Sequence, residues 1–89
     1  MLEIRFTSKF KKDFKKYRHD QLFLTQFNLV INLLLTAEPL PKRYKEHKLI
    51  GDYQGFYECH IRPDLLLLYF YEESCLVLVR VGSHSELFR

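Results

Sequence analysis

The sequence predicts an α+β fold in the order β-α-α-β-β-β, with a helical hairpin packed on one face of a mostly antiparallel four-stranded sheet. Three features lead to this prediction. The first half of the chain repeats apolar side chains at helical spacing behind capping residues, whereas the second half carries apolar runs of strand length. Between the two halves, residues 38–48 form a charged segment with two prolines and no periodicity, which predicts a loop.

The first half holds one predicted strand and two predicted helices. Residues 2–6 alternate apolar and polar side chains, as a short strand does. Thr7 or Ser8 then caps the first helix, and Asp20 caps the second, which ends before Pro39. A tight link between the two makes them a hairpin. The side chains expected to face the core are Phe10, Phe14 and Tyr17 in the first helix and Phe23, Phe27, Val30, Ile31 and Leu34 in the second.

Three further strands are predicted in the second half, at residues 56–61, 65–71 and 75–81. The sequence Arg-Pro-Asp at residues 62–64 forms the turn between the first two, and residues 72–74 connect the last two. The run LLLLYFY is apolar throughout, which predicts a central strand that is covered on much of both faces.

Length and composition restrict the class of protein. The chain of 89 residues has room for one domain, residues 1–89, and its hydrophobic content of 47% argues against intrinsic disorder. A net charge of +3 permits RNA or an acidic protein as partner without requiring either. Two cysteines match no zinc spacing, so we expect free thiols. Without a signal peptide or an apolar run of about eighteen residues, we expect a cytoplasmic protein outside the membrane.

Three of the four histidines occupy conspicuous positions. His47 lies in the charged loop, His60 near a strand end, and His84 in the C-terminal GSHSELF. A strand end, the turn after it and a segment leaving an adjacent strand can meet at one edge of a sheet, so we expect these histidines to converge with Asp64 of the turn. Imidazole both takes and gives protons near neutral pH, which indicates general acid–base chemistry. His19, in the helix link, is interpreted as a surface residue.

Each of these histidines also has a simpler interpretation. A loop histidine such as His47 is commonly just solvated, and a tail such as that around His84 is often disordered. His60 alternates with Glu58 on one face of its strand, as a satisfied, partly buried residue would. His60, Asp64 and His84 also make up a two-histidine, one-carboxylate set suited to a metal ion, but these residue types occur together by chance too often for the pattern to count for much.

Cations near the histidines supply candidate phosphate ligands. Arg62 and Arg80 lie close to the histidines in the sequence, and a guanidinium can donate two parallel hydrogen bonds to a phosphate. Four lysines of the first helix are interpreted first as the solvated face of an amphipathic helix and second as a surface for an anionic partner. They are Lys11, Lys12, Lys15 and Lys16.

The second half of the chain resembles the YafQ group of RelE-like toxins from bacterial toxin–antitoxin pairs. The motifs that carry the resemblance are H-x-L-x-G at residues 47–51, H-I-x-P-D at residues 60–64 and R-x-G-S-H-x-x-L-F at residues 80–88. They lie between Tyr44 and Phe88, whereas the first half fits the RelE-like fold by its β-α-α layout.

The resemblance implies a ribosome-associated endoribonuclease that needs no metal or other cofactor and cleaves mRNA in the A site. In that family a 2′-hydroxyl attacks its own 3′-phosphate, leaving a cyclic phosphate and a free 5′-hydroxyl. The family's functional positions fall here on His47, His60, Asp64, His84 and Phe88. We predict that His84 is the general acid and that Phe88 stacks on a base. His60, oriented by Asp64, and His47 then supply the base and charge stabilisation.

The resemblance also implies a cognate antitoxin, docked on the sheet face opposite the helices or on the first helix. Contact with operator DNA would come only through that antitoxin, and the lysines of the first helix would grip ribosomal RNA. Leu65 stands where YafQ-like sequences can have Trp, a lost stacking surface that would affect codon preference or rate more than mechanism.

Two other functions stay open. One is a ParE-like toxin that binds DNA gyrase, against which the histidines argue because a binder needs no acid–base groups. The other is a catalytically inactive co-repressor that only binds the antitoxin.

Overall fold

The computed structural model describes residues 2–88 as one mixed sheet with helices packed against it. The strands are β1 (Glu3–Phe6), β2 (His47–Lys48), β3 (Tyr57–Arg62), β4 (Leu65–Glu72) and β5 (Cys75–Gly82). The α-helices are α1 (Ser8–Phe14), α2 (Gln21–Leu35) and α3 (His84–Phe88). Short 3₁₀ helices occupy Lys42–Tyr44 and Gly51–Tyr53.

The strand order across the sheet is β1-β5-β4-β3-β2. β1 runs parallel to β5, and the other neighbours are antiparallel. The predicted α+β fold with its helical hairpin is therefore confirmed, but residues 2–88 form five strands where four were predicted. The additional strand is β2, inside the segment predicted as a loop. Two residues are too few to show a period of two, and they form a strand only because they pair with Tyr57 and Glu58.

Both predicted helix caps are confirmed. Thr7 Oγ1 accepts a hydrogen bond from the backbone N–H of Phe10 at 3.0 Å, and Asp20 Oδ1 accepts one from that of Phe23 at 2.9 Å. Each cap satisfies a backbone donor that has no partner inside its helix. α1 ends earlier than its apolar spacing predicts, at Phe14. The chain continues through tight turns in which the Tyr17 N–H bonds to Phe14 O, so Tyr17 packs on the core from outside the helix.

β4 is the central strand predicted from its apolar run. Alternate side chains of a strand face opposite sides of a sheet. Leu65, Leu67 and Tyr69 pack beneath the helical hairpin in the main core. Leu66 and Leu68 face the other side, where they pack against Leu87 of α3. One face of the sheet is thus covered by the hairpin, and the other carries α3 and a group of polar side chains.

The state of the cysteines and the lengths of the helices bear on two expectations drawn from the composition. Both cysteines are buried and free. Within residues 2–88, the longest helices fall short of the length and apolarity that a bilayer crossing needs.

Candidate active site

Register places polar side chains side by side on the sheet face opposite the hairpin. Glu58 of β3 pairs with His47 of β2 on one side and with Leu68 of β4 on the other. His60, two residues further along β3, shares this face and pairs with Leu66, which in turn pairs with Gly82 of β5. Gly82 therefore lies two strand spacings, about 10 Å, from His60. His84 follows Gly82 by two residues at the same end of the sheet.

Glu58 is the residue that connects the two histidines of this face. Its Oε1 lies 3.2 Å from His47 Nε2 and 3.7 Å from His60 Nε2. The Glu58 side chain is only 8% exposed, whereas those of His47 and His60 are 52% and 24% exposed. A carboxylate at that depth is stabilised by the groups around it, and here those groups are two imidazoles. Sequence reasoning placed Glu58 on the same face as His60 but gave it no role.

The far side of each imidazole ring also has a partner. His47 Nδ1 lies 3.0 Å from Lys45 O, and His60 Nδ1 lies 3.3 Å from Pro63 O. A carbonyl oxygen can only accept, so Nδ1 of each ring donates its hydrogen. Nε2 of each ring is then the atom turned toward Glu58, where a proton can be held or released.

The segment before His47 is tied to the middle of the sheet. The hydroxyl of Tyr69 donates a hydrogen bond to the carboxylate of Glu46. Burial raises the pKa of this phenol, so Tyr69 remains a donor throughout the physiological range. Together with the buried Tyr44 and the pairing of β2 with β3, this bond holds the backbone from which His47 reaches Glu58.

Asp64 does not orient His60 as predicted. It is exposed in the turn between β3 and β4 and makes no hydrogen bond or ion pair within residues 2–88. The partners of His60 are Glu58 and Pro63 instead. The sequence spacing that suggested the Asp64 contact does not reveal the register shift in β3 between His60 and Arg62. A catalytic role of Asp64 itself stays a prediction.

His84 begins a short helix rather than a disordered tail. The Ser83 N–H donates to Glu86 Oε1 at 2.8 Å, and the Glu86 N–H donates to Ser83 Oγ at 3.2 Å, which together form a capping box. The pattern Ser-x-x-Glu was present in the sequence and would have predicted this helix. His84 is exposed, and its ring centroid lies 5.0 Å from that of Phe88, one helical turn later.

Phe88 is held on its other side by the ring of Tyr53, whose centroid is 5.3 Å away in an edge-on arrangement. Beneath α3, Gly82 lets the helix approach closely. A Cβ at that position would lie 2.9 Å from Glu86 Oε1 and 3.3 Å from Leu87 Cδ2. The glycine thus allows α3 to fold back over the sheet and to present His84 and Phe88 together.

Glu86 also ties α3 to the link between α1 and α2. Its carboxylate accepts hydrogen bonds from Lys16 Nζ and from the Tyr17 hydroxyl, each at 3.1 Å. The donors, first the Ser83 N–H and then Lys16, lower the pKa of Glu86 from 4.5 to about 2. Lys16 therefore has a structural partner, whereas Lys11, Lys12 and Lys15 are exposed.

We expect Glu86→Gln to lower stability near neutral pH and to flatten its dependence on acid. A lowered folded-state pKa means that the ionised carboxylate stabilises the folded protein above about pH 4.5 and that this contribution disappears as the pH falls toward 2. Because the group is exposed, the effect should be about 1 kcal/mol or less. Thermal unfolding across this pH range measures it, with Glu38→Gln as the control at an exposed carboxylate. Identical acid dependence in wild type and Glu86→Gln would contradict this role.

Both predicted phosphate-binding arginines are paired with carboxylates of the helical hairpin. Arg80 donates to Asp13 through Nε at 2.6 Å and Nη2 at 3.0 Å, and Arg62 Nη2 lies 3.2 Å from Asp20. These carboxylates lie far from the arginines in the sequence, so their pairing could not be inferred from it. The guanidinium groups are oriented by these bonds, and phosphate binding by their remaining donors stays a prediction.

The structure of residues 2–88 also shows where the candidate metal-binding residues and Leu65 lie. Within that range no three His, Cys, Asp or Glu side chains are grouped so as to hold one metal ion, so the set of His60, Asp64 and His84 is not assembled. Leu65 is only 2% exposed and belongs to the core beneath the hairpin. Its side chain faces away from the histidines, and an effect of Leu65 on codon preference or rate stays a prediction. His19 is exposed, as predicted.

A comparison of the sequence with known protein families shows to which family this chain belongs. The family described as the bacterial toxin of type II toxin–antitoxin systems, YafQ, matches residues 2–89. The chain belongs to the YafQ toxin family. The resemblance carried by the three sequence motifs is thereby confirmed.

Individual relatives share both sequence and fold with this YafQ-family toxin. The mRNA interferase toxin YafQ of Escherichia coli K12 is 30% identical over 87 residues, which cover 97% of this chain and 95% of that protein. A metal-bound toxin from Helicobacter pylori has a TM-score of 0.90 at 46% identity, covering 99% of this chain and 100% of that one. YafQ in the E. coli DinJ–YafQ complex has a TM-score of 0.86 at 29% identity, with both chains fully covered.

Proposed function

We propose that this YafQ-family toxin is a ribosome-dependent endoribonuclease that cleaves mRNA in the A site by general acid–base catalysis without a metal ion. The observation that carries the proposal is the buried Glu58 carboxylate, which turns Nε2 of both His47 and His60 toward one point of the sheet face. Two imidazoles held beside one carboxylate can take up and give up protons, which is what general acid–base catalysis requires. The relative from E. coli K12 is named an mRNA interferase, which supports the same reaction class.

The proposed reaction moves two protons and breaks one P–O bond. A base removes the proton of the 2′-hydroxyl, and the 2′-oxygen attacks the adjacent phosphorus. The P–O bond to the 5′-oxygen then breaks as an acid protonates that oxygen, giving a 2′,3′-cyclic phosphate and a 5′-hydroxyl. His84 is the proposed acid, because it is exposed at the start of α3, whereas His47 and His60 are held by Glu58. His60 and His47, held by Glu58, share the base function and the stabilisation of the charged intermediate.

The remaining residues of the site would bind and place the substrate. Phe88, held between His84 and Tyr53, offers a ring on which a base can stack. Arg62 and Arg80 would contact phosphate oxygens with the donors that Asp20 and Asp13 leave free. Asp64, exposed beside this face, would act through substrate or through the ribosome rather than through His60.

The partners follow from the same proposal. YafQ of E. coli forms a complex with DinJ, so we propose a cognate antitoxin for this chain, with operator DNA reached only through it. The exposed Phe6 and the lysine-bearing side of α1 suit an acidic partner with an apolar anchor, which favours α1 among the two docking surfaces considered. The exposed Lys11, Lys12 and Lys15, in and directly after α1, would contact ribosomal RNA when the antitoxin is absent. We propose the cytoplasm as its location, because translating ribosomes are found there.

We expect full activity after exhaustive chelation with EDTA, provided that ribosomal magnesium is restored and transition metals are excluded. Acid–base catalysis by histidines needs no metal-bound hydroxide, and 2′-oxygen attack leaves cyclic phosphate and 5′-hydroxyl ends. Treatment of the fragments with polynucleotide kinase in the presence and absence of its phosphatase activity identifies these ends. Cleavage that returns only with added zinc or manganese, or that leaves linear 5′-phosphate ends, would favour metal catalysis.

A further inference from the structure

A groove of about 460 Å³ opens beside His60, where β2 ends and leaves the edge of β3 uncovered. One wall is the outer side of α2, with Leu29 exposed, and the other is the segment around the first 3₁₀ helix. Its volume lies in the range of sites that hold small molecules, roughly 300–1,000 Å³. The residues that line it are Gln26, Leu29, Arg43, Tyr44, Lys45, His60, Ile61, Arg62 and Pro63.

The groove is positively charged. Arg43, Lys45 and Arg62 line it, and its lining includes no carboxylate. Arg62 is paired with Asp20, but Arg43 and Lys45 have no ion pair within residues 2–88. Two cations in and directly after one short 3₁₀ helix, without ion-pair partners within residues 2–88, form a surface for an anion.

Arg43 offers a flat surface in addition to its charge. Its guanidinium lies over the ring of Tyr44, 4.7 Å from the centroid, and Nη2 donates to the Tyr44 hydroxyl at 3.1 Å. The buried Tyr44 thus fixes the plane of the guanidinium, whose outer face stays exposed. Nucleobases of single-stranded RNA stack on arginine planes as well as on aromatic rings.

We infer that this groove binds the single-stranded RNA next to the cleaved bond, with backbone phosphates on Arg43 and Lys45 and a base against the guanidinium plane of Arg43. The inference rests on the proposed ribonuclease function and adds a substrate subsite to it. RNA fits better than an acidic protein because the groove leads directly to His60, which lines it and also faces Glu58 of the reacting face. A strand lying in the groove would pass from Arg43 and Lys45 to the imidazoles without leaving the surface.

The test measures binding separately from cleavage. The probe is a short fluorescein-labelled oligouridine with methylated 2′-hydroxyls, which cannot be cleaved, and anisotropy is followed from about 50 to 200 mM KCl. Each phosphate contact on a single strand contributes about 0.7 to the slope of log affinity against log salt. Loss of two contacts in Arg43→Glu/Lys45→Glu should lower that slope by about 1.4, so that wild type loses about sevenfold more affinity than the variant over this range.

Two further variants serve as controls. Arg18→Glu/Lys42→Glu makes the same change of net charge at exposed side chains that do not line the groove, and it should change the slope much less. Arg43→Gln/Lys45→Gln repeats the test without charge reversal and should lower the slope similarly. Thermal unfolding verifies that each variant is folded. Equal slopes for the groove pair and the control pair would overturn the inference.

The outcomes separate this inference from the proposed function. If wild type cleaves mRNA while the groove pair binds RNA normally, the groove inference is wrong and the ribonuclease proposal stands. Groove-dependent RNA binding by a protein that cleaves no mRNA would support the subsite and contradict the ribonuclease. Normal RNA binding together with weakened antitoxin binding in the groove pair would assign the groove to a protein partner and overturn the inference.

Discussion

The His84→Ala variant should cleave mRNA about a hundred- to ten-thousandfold more slowly than wild type, the usual cost of losing a general acid or base. The variant should remain folded, because His84 is exposed and its ring lies against that of Phe88 on the surface of α3. α3 itself is anchored by Leu87 against the sheet and by the capping box of Ser83 and Glu86. We therefore expect nearly unchanged thermal stability and antitoxin binding.

Single-turnover cleavage of ribosome-bound mRNA measures this effect, and His19→Ala is the matched control. His19 is also an exposed histidine, but it lies in the link between α1 and α2. The control should cleave like wild type. If His84→Ala cleaves within a few-fold of the wild-type rate, His84 is not the general acid. Equal losses of activity in both variants would indicate a general effect of removing a surface imidazole.

The ribosome should accelerate cleavage by several orders of magnitude over free RNA. In-line attack requires the 2′-oxygen, the phosphorus and the leaving oxygen to be held in place, and positioning of this kind can contribute about 7–11 kcal/mol. The protein provides little of it: two of the three arginines near the histidines are already bonded to carboxylates, and His47 and His84 are open to solvent. The A site would hold the mRNA in the reactive geometry.

Rates on free RNA and on mRNA in programmed ribosomes measure that acceleration. Lys12→Glu/Lys15→Glu should weaken ribosome association and its salt dependence while leaving the slow cleavage of free RNA unchanged. Lys16 is left intact in this variant because it holds Glu86. Equal rates on naked and ribosome-bound RNA would show instead a self-sufficient ribonuclease.

Features that depend on neighbouring residues were predictable from the sequence. The caps at Thr7 and Asp20 act on N–H groups three residues away, and the alternation in β1 and the apolar run of β4 are likewise local. The capping box at Ser83 is equally local, so α3 was predictable even though it was not predicted.

Features that depend on register or on distant partners were not predictable. Glu58 acts only because β2 pairs beside it, and β2 is too short to have a pattern of its own. Arg80 and Arg62 were correctly placed near the histidines in the sequence, but their orientation depends on Asp13 and Asp20, more than 40 residues away along the chain. The contact assigned to Asp64 is not formed, and the partners of His60 are Glu58 and the carbonyl of Pro63 instead.

The central claim is that the histidine face cuts mRNA on the ribosome, and one measurement tests it most directly. Purified protein is added to a translating extract, and the ends of the mRNA fragments are mapped codon by codon alongside the His84→Ala variant. We expect 5′-hydroxyl ends within A-site codons that appear only while ribosomes translate and that disappear with His84→Ala. An intact message in the presence of active, folded wild-type protein, or cleavage that persists in the variant, would contradict the account.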